Sequence, residues 1–267
     1  MTSRAERSMS FGAIADDYDR VRPAPAPEAI DWLLPRRRDV VVDLGAGTGL
    51  LTRAVAATAG HVIAVEPDDR MRAVLAERSP GVEVLAGRGE AIPLPDACAN
   101  AVLVSSAWHW MDPARAVPEI ARVLRNDGRF GVIWTGRERL PWLRAGEWFA
   151  AGDQDVATRR TAEERAVRER EGRQVTLPDP NPFRNIETRT FQFTRRMTIP
   201  DLVEWLMTYS RVITASDEVK AAGRARATTA LADRFAGATE IDVPMHSRCW
   251  RADRVPRSSA QSAFQRE

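Results

Sequence analysis

The chain predicts an α/β fold: a doubly wound, mostly parallel sheet with an antiparallel last strand and a helical lid insertion. Three observations carry that prediction. The β-branched run Val40-Val41-Val42 passes through Asp43 and Leu44 into a glycine turn, Gly45-Ala46-Gly47-Thr48-Gly49, and leaves it as the apolar start of a helix, Leu50-Leu51. Short apolar runs then alternate with helical stripes as far as Trp134, the pattern of parallel strands joined by right-handed crossovers. After Trp134 the alternation stops, and a charged, Pro-rich stretch separates it from two further strand-like runs.

The elements follow in order. Phe11, Ile14, Tyr18 and Val21 form a helical stripe. Pro23, Pro25 and Pro27 then force an extended linker, and a second helix over 27–34 leads into the first strand. The glycine turn opens a helix over 50–58, and the second strand, 61–65, ends at Glu66, 23 residues after Asp43. Asp68 or Asp69 caps the next helix, which carries Met71, Val74 and Leu75 on one face. The third strand is 82–85, the fourth 101–105 and the fifth 130–134, the last entered by a turn at Asn126-Asp127-Gly128. Proline suits a first helical turn, so the helix before that turn is expected to start at Pro118 rather than at Pro113. Residues 136–186 read as a lid holding a charged helix and the segment Leu177-Pro178-Asp179-Pro180-Asn181-Pro182. Phe191 and Phe193 share one face of a strand over 188–194, helices follow from Thr198 to Tyr209 and over 217–235, and the final strand is 241–252.

With 44% hydrophobic and 28% charged residues, the 267-residue chain fits one α/β domain with an elaboration. No apolar run approaches the roughly 18 residues of a membrane span, and residues 1–10 lack the apolar core of a signal peptide. Two cysteines, Cys98 and Cys249, make no disulfide framework and read as reduced thiols in the cytoplasm. The absence of a Cys/His cluster argues against a metal. Net charge is +2, and Lys220 is the sole lysine among 39 basic residues. The arginines alternate with acids, as over 163–171, which reads as a solvated helix face with i,i+4 pairs rather than a nucleic-acid surface.

The glycine spacing narrows the ligand. Gly45, Gly47 and Gly49 give G-x-G-x-G, whereas dinucleotide sites use G-x-G-x-x-G, and here Leu50 holds the third dinucleotide position. No lysine follows, which excludes a phosphate-cradling P-loop. Asp43 before the turn disfavours a polyphosphate and suits a cationic or amine-bearing ligand. Glu66, at the tip of the neighbouring strand, is placed to accept from two ribose hydroxyls. The alternative is a tight strand–helix turn that holds nothing.

On these residues the chain resembles the class I S-adenosylmethionine-dependent methyltransferases, in particular the type 11 small-molecule group, with a layout similar to actinobacterial and trans-aconitate-methyltransferase-like members. The resemblance covers roughly residues 11–135. It implies a Rossmann-like core over 36–135 that binds S-adenosylmethionine, an N-terminal helical cap over 1–35, the lid over 136–186, completion of the sheet and helices over 187–255, and a disordered tail over 256–267. In the family the glycine turn cradles the methionine part of the cofactor and the second-strand acid holds the ribose. By resemblance those roles fall to Gly45, Ala46, Gly47 and Glu66; Asp43 before the turn and Ser105 at the end of the fourth strand are further expected cofactor-binding residues. The loop Gly87-Arg88-Gly89-Glu90-Ala91-Ile92-Pro93 resembles the family's adenine-reading Gly-Asp-Ala-Glu-x-x-Pro. Arg88 stands where the family has an acid and cannot accept from an amine, so the reading passes to Gly89 and Glu90. Pro67 and Met71 are placed to sandwich the adenine, Met71 being equally suited to the core. Tyr18 belongs to the helix that closes over the cofactor in the family, and Arg22 is suited to the cofactor carboxylate; the alternative is that Tyr18 packs helix to sheet and Arg22 is solvated.

For the acceptor, Ser105-Ser106-Ala107-Trp108-His109-Trp110 offers an aromatic wall with one titratable group. Trp108 and Tyr209 are the expected substrate-binding residues and His109 the candidate general base, the alternative being core tryptophans and a hydrogen-bonded scaffold histidine. The expected function is S-adenosylmethionine-dependent methyl transfer to a small, partly apolar acceptor, without metal, nucleic acid or membrane. The rivals are a regulatory module that binds the cofactor without turnover, an NAD-dependent dehydrogenase and a nucleic-acid methylase.

Overall fold

The fold is given by a computed structural model that describes residues 9–143, 148–149 and 174–256. Seven strands form one sheet: β1 (Val40–Leu44), β2 (His61–Glu66), β3 (Glu83–Ala86), β4 (Ala99–Ser105), β5 (Leu124–Arg137), β6 (Phe183–Met197) and β7 (Ile241–Arg254). Their order across the sheet is β3-β2-β1-β4-β5-β7-β6. The first five are parallel: Val42 of β1 lies beside Ile63 of β2 and Val102 of β4, Val65 of β2 beside Leu85 of β3, and Val102 beside Phe130 of β5. At the other end the direction reverses. Arg129 bonds Asp253 while Thr135 bonds Ser247, and Asn185 bonds Asp253 while Glu187 pairs with Arg251, so partners climb in one strand as they fall in the next. The chain leaves β1 toward β2 on one side and returns to β4 on the other, which makes the β1/β4 junction the switch point where such sheets take ligands.

The chain divides into two units, one of Met1–Pro23, Gly136–Gln174 and Gln192–His246, the other of Ala24–Thr135, Val175–Phe191 and Ser247–Glu267; the division falls within β5, β6 and β7. In the second unit Val42, Leu44, Val65, Val102, Val104 and Phe130 are buried almost completely, as expected of parallel strands covered on both faces. The helix Leu50–Ala56 presses Leu51 and Val55 inward, and Asp69–Arg78 buries Met71, Val74 and Leu75. Asp68 caps that second helix by accepting from the backbone N–H groups of Arg70 and Met71. In the first unit Val21, Leu202, Val203, Trp205, Leu206, Leu231, Val243 and Met245 form a separate core.

Three expectations change. The helix before β5 runs Pro113–Val123 and carries Pro118 in its interior. Asp112 caps it by accepting from Ala114 N–H, and the buried face Ala116, Val117, Ile120, Ala121 and Val123 holds it through the proline, which lacks the N–H to bond back. β5 starts at Leu124 and includes Asn126-Asp127-Gly128, because Leu124 pairs with Ala99 ahead of a register shift, with Asp127 at φ 59°. β6 is far longer than 188–194. The charged helix over 163–171 and the tail over 257–267 lie outside the described residues.

Candidate functional site

The glycine turn is built on three positive φ angles, 72° at Gly45, 57° at Gly47 and 91° at Gly49, a region that L side chains rarely adopt. Gly45 is also held by space, since a Cβ there would stand 2.7 Å from the Cβ of Ala107. Gly47 is the opposite case. A Cβ there would meet nothing within 4 Å, so the turn leaves open room on that side. The amides of Gly45 and Ala46 both donate to the Val65 carbonyl, at 2.8 and 3.2 Å, which ties the turn to the end of β2.

Glu66 closes the same end. One carboxylate oxygen accepts from Gly47 N–H at 2.9 Å and the other from Asp68 N–H at 2.9 Å. With 8% of its surface exposed, burial raises its pKa above the usual carboxylate range, against these two backbone hydrogen bonds that lower it. Arg72 donates to the carbonyls of both Glu66 and Pro67 at 2.8 Å, which fixes the chain direction beyond the acid.

Asp43 lies underneath, fully buried, with one oxygen accepting from the Thr52 hydroxyl at 2.6 Å and the other without a hydrogen-bond partner. Burial pushes its carboxyl up to about 7, the Thr52 bond opposing and the neighbouring Glu66 charge adding to the rise. Two buried acids, Asp43 and Glu66, therefore interact at the base of the turn, and within the turn the buried hydroxyl of Thr48 lacks a partner among the described residues. That donor-poor, acid-rich floor matches an amine-bearing cation and opposes a phosphate.

Met111 joins the other candidates to the turn. A Cβ on Gly45 would stand 3.3 Å from its methyl carbon, and one on Gly89 2.6 Å from its sulfur. The 87–90 loop is thus seated beside the glycine turn, while Glu90 accepts from the backbone N–H of Asp112 and Arg88 stays exposed. Ser105 ends β4, and Ser106 turns at φ 53° to donate its N–H to the Ile133 carbonyl. Pro67 is exposed, whereas Met71 is buried in the core side of its helix.

Trp108 requires a correction. It is 3% exposed and packs on Phe130 with ring centroids 5.3 Å apart, so it is a core anchor rather than a wall open to an acceptor; the short 3-10 helix Trp108–Trp110 turns it inward. His109 remains partly exposed with its ring 4.6 Å from that of Trp110.

Tyr18, Arg22 and Tyr209 belong to the first unit, and there they come together. The Arg22 guanidinium lies 4.8 Å from the centre of the Tyr18 ring and 5.4 Å from that of Tyr209. Nε donates to the Thr208 hydroxyl at 2.9 Å and Nη2 to the Thr208 carbonyl at 2.8 Å. Thr52, Thr208, the Asp68 amide and Met111 all shape these clusters and carry no motif of their own. A threonine nine residues after a buried aspartate was the one available signal, because it places the hydroxyl on the first turns of the helix that returns over β1.

An open α/β sheet with this turn and this acid is a scaffold of the methyltransferase type. A family model described as a methyltransferase domain, type 11, matches residues 42–132. An uncharacterized methyltransferase of Mycobacterium tuberculosis is 40% identical over 253 residues, covering 94% of this chain and 98% of the relative. The chain belongs to the class I S-adenosylmethionine-dependent methyltransferase family. Among solved structures, one assigned as a type II methyltransferase from Anaeromyxobacter dehalogenans superposes with a TM-score of 0.65 at 22% identity, covering 88% of this chain and 99% of that one. A Haemonchus contortus phosphoethanolamine N-methyltransferase, in complex with phosphomonomethylethanolamine and S-adenosylhomocysteine, superposes at 0.52 with 14% identity, covering 96% of this chain and 61% of that one.

Proposed function

We propose that this protein transfers the methyl group of S-adenosylmethionine to a small, partly apolar acceptor in the cytoplasm. The observation that carries the reading is the Glu66 carboxylate, buried and held by two backbone N–H groups beside a turn whose Gly47 faces open room. The neighbour solved with S-adenosylhomocysteine supports the choice of cofactor. The residues fit such a ligand: Glu66 retains lone pairs for ribose hydroxyls, Asp43 and the turn's carbonyls suit an ammonium, and the Met111–Gly89 seat offers backbone groups to an adenine.

The cofactor would supply a sulfonium methyl donor, whose departing neutral thioether needs no acid. The chain's task is then to hold the acceptor in line and exclude water. Glu66 and the turn fix position. A general base is needed only for an acceptor that carries a proton on its nucleophilic atom, and His109, at the tip of β4, is the group assigned to that step.

Calorimetric titration with S-adenosylmethionine, S-adenosylhomocysteine and NAD tests the reading. Micromolar binding of the first two and none of the third is expected. Binding of NAD alone overturns it in favour of a dehydrogenase. Turnover of labelled S-adenosylmethionine against an acceptor panel then separates an enzyme from a module that only binds.

A further inference from the structure

The two edges of the sheet are built differently. At one edge β3 is four residues long, and at the other β6 runs for 15. An edge strand presents unpaired N–H and C=O groups, and proteins commonly keep such edges short, cover them or charge them so that copies repel. β6 is long, and it is exposed at every residue over 186–190. Asn185, at φ 53°, interrupts the extended backbone just ahead of this stretch.

Side chains here alternate between two faces. One face carries Glu187 and Arg189, both held in place from within the second unit. Arg251 donates to the two Glu187 carboxylate oxygens at 3.0 and 3.1 Å, and the Arg189 guanidinium lies 4.9 Å from the centre of the Phe191 ring. The other face carries the β-branched side chains of Ile186, Thr188 and Thr190. Ile186 is 50% exposed; it and Val255 are the only exposed large hydrophobic side chains among the described residues. Read about Thr188, the stretch is its own complement. Laid antiparallel against a second copy, with the two Thr188 residues opposite each other, it sets Glu187 against Arg189 in both directions and Ile186 against Thr190 likewise. Registers centred on Glu187 or on Arg189 set like charges opposite each other, which destabilises a strand pair.

We propose that the 186–190 stretch of β6 joins a second copy of this chain edge to edge, antiparallel about Thr188, to make one sheet continuous through both copies. Main-chain hydrogen bonds supply the attraction, and the Glu187–Arg189 pairs fix the register. Ile186, Thr188 and Thr190 of the two copies close into one β-branched patch, which removes the exposed isoleucine from water. Every residue of this surface belongs to the second unit, and the proposal is independent of the methyl-transfer reading.

Sedimentation velocity of the whole protein, from about 1 to 200 µM, tests it across the range of a weak interface. The expected result is a monomer–dimer equilibrium that moves toward monomer as salt rises and screens the exposed ion pairs. Arg189→Glu sets acid opposite acid in both pairs and should weaken the dimer at least about tenfold. Glu187→Arg sets base opposite base and should do the same. An equimolar mixture of the two variants restores unlike charges at both pairs, and should dimerise to within about threefold of the wild type. Glu187→Arg also gives up the bond to Arg251, so if that variant does not fold, Arg189→Glu and the salt series decide the matter. A wild type that stays monomeric at the highest concentration overturns the proposal. So does a dimer that neither salt nor Arg189→Glu weakens, or a mixture of the two folded variants that remains monomeric.

Discussion

Glu66→Ala separates the two things this carboxylate does. In the folded protein it accepts from Gly47 and Asp68 N–H, both at 2.9 Å, in a setting where 8% of the residue is exposed. Alanine leaves two poorly solvated donors without acceptors, at about 1–3 kcal/mol each before water enters. Against that stands the relief of a charge that burial disfavours, as the raised pKa of Glu66 records. The net loss of stability should therefore fall near the lower end, about 1–2 kcal/mol. On the proposed reading ligand affinity responds differently: charged hydrogen bonds to the ribose would be lost outright, weakening binding by about 1.5–3 kcal/mol, or roughly ten- to a hundredfold. Urea unfolding gives the first quantity and calorimetric titration with S-adenosylhomocysteine the second. An unchanged dissociation constant in a variant that has lost stability would refute the reasoning: Glu66 would then be a clip for the turn and no part of a ligand site.

The remaining predictions concern its neighbours. Asp43 has its folded pKa raised from 3.8 to about 7, so its ionisation favours the unfolded chain, and stability should fall as pH rises across that window. Asp43→Asn should flatten that fall, measured by urea unfolding at the two ends of the window, and should weaken S-adenosylmethionine binding above pH 7. Gly45→Ala places a Cβ 2.7 Å from Ala107 and should lower stability by about 2–4 kcal/mol, whereas Gly47→Ala adds its methyl to open room, so it should lose about 1 kcal/mol of stability and far more in cofactor affinity. Trp108→Ala empties a core position against Phe130 and should destabilise by about 3–5 kcal/mol in a thermal or urea melt; a variant as stable as wild type would return Trp108 to the acceptor wall.

What was readable from sequence has a common physical character: it is local. Val40–Val42 must be strand, a run of alternating glycines must turn, and an acid at the next strand tip must stand beside that turn, because each follows from backbone sterics and the period of one element. Asp112 capping its helix ahead of Pro118 is the case where local preference lost, since a buried face spanning Ala116 to Val123 outweighs one missing N–H. Tertiary structure alone decided the rest. Trp108 went to the core because Phe130 lies opposite it across β4 and β5, and no local rule says which face of a strand-tip turn meets an aromatic. Asp43 has its pKa raised to about 7 because the fold excludes water around it, and the hydrogen bonds from Thr52 offset that burial only in part. Arg22 and Thr208 are separated by 186 residues, and the guanidinium is clamped only when the chain brings them together. The sequence by itself named the candidate residues around the glycine turn; the packing of distant segments determined which of them are buried, which have a shifted pKa, and how each is hydrogen-bonded.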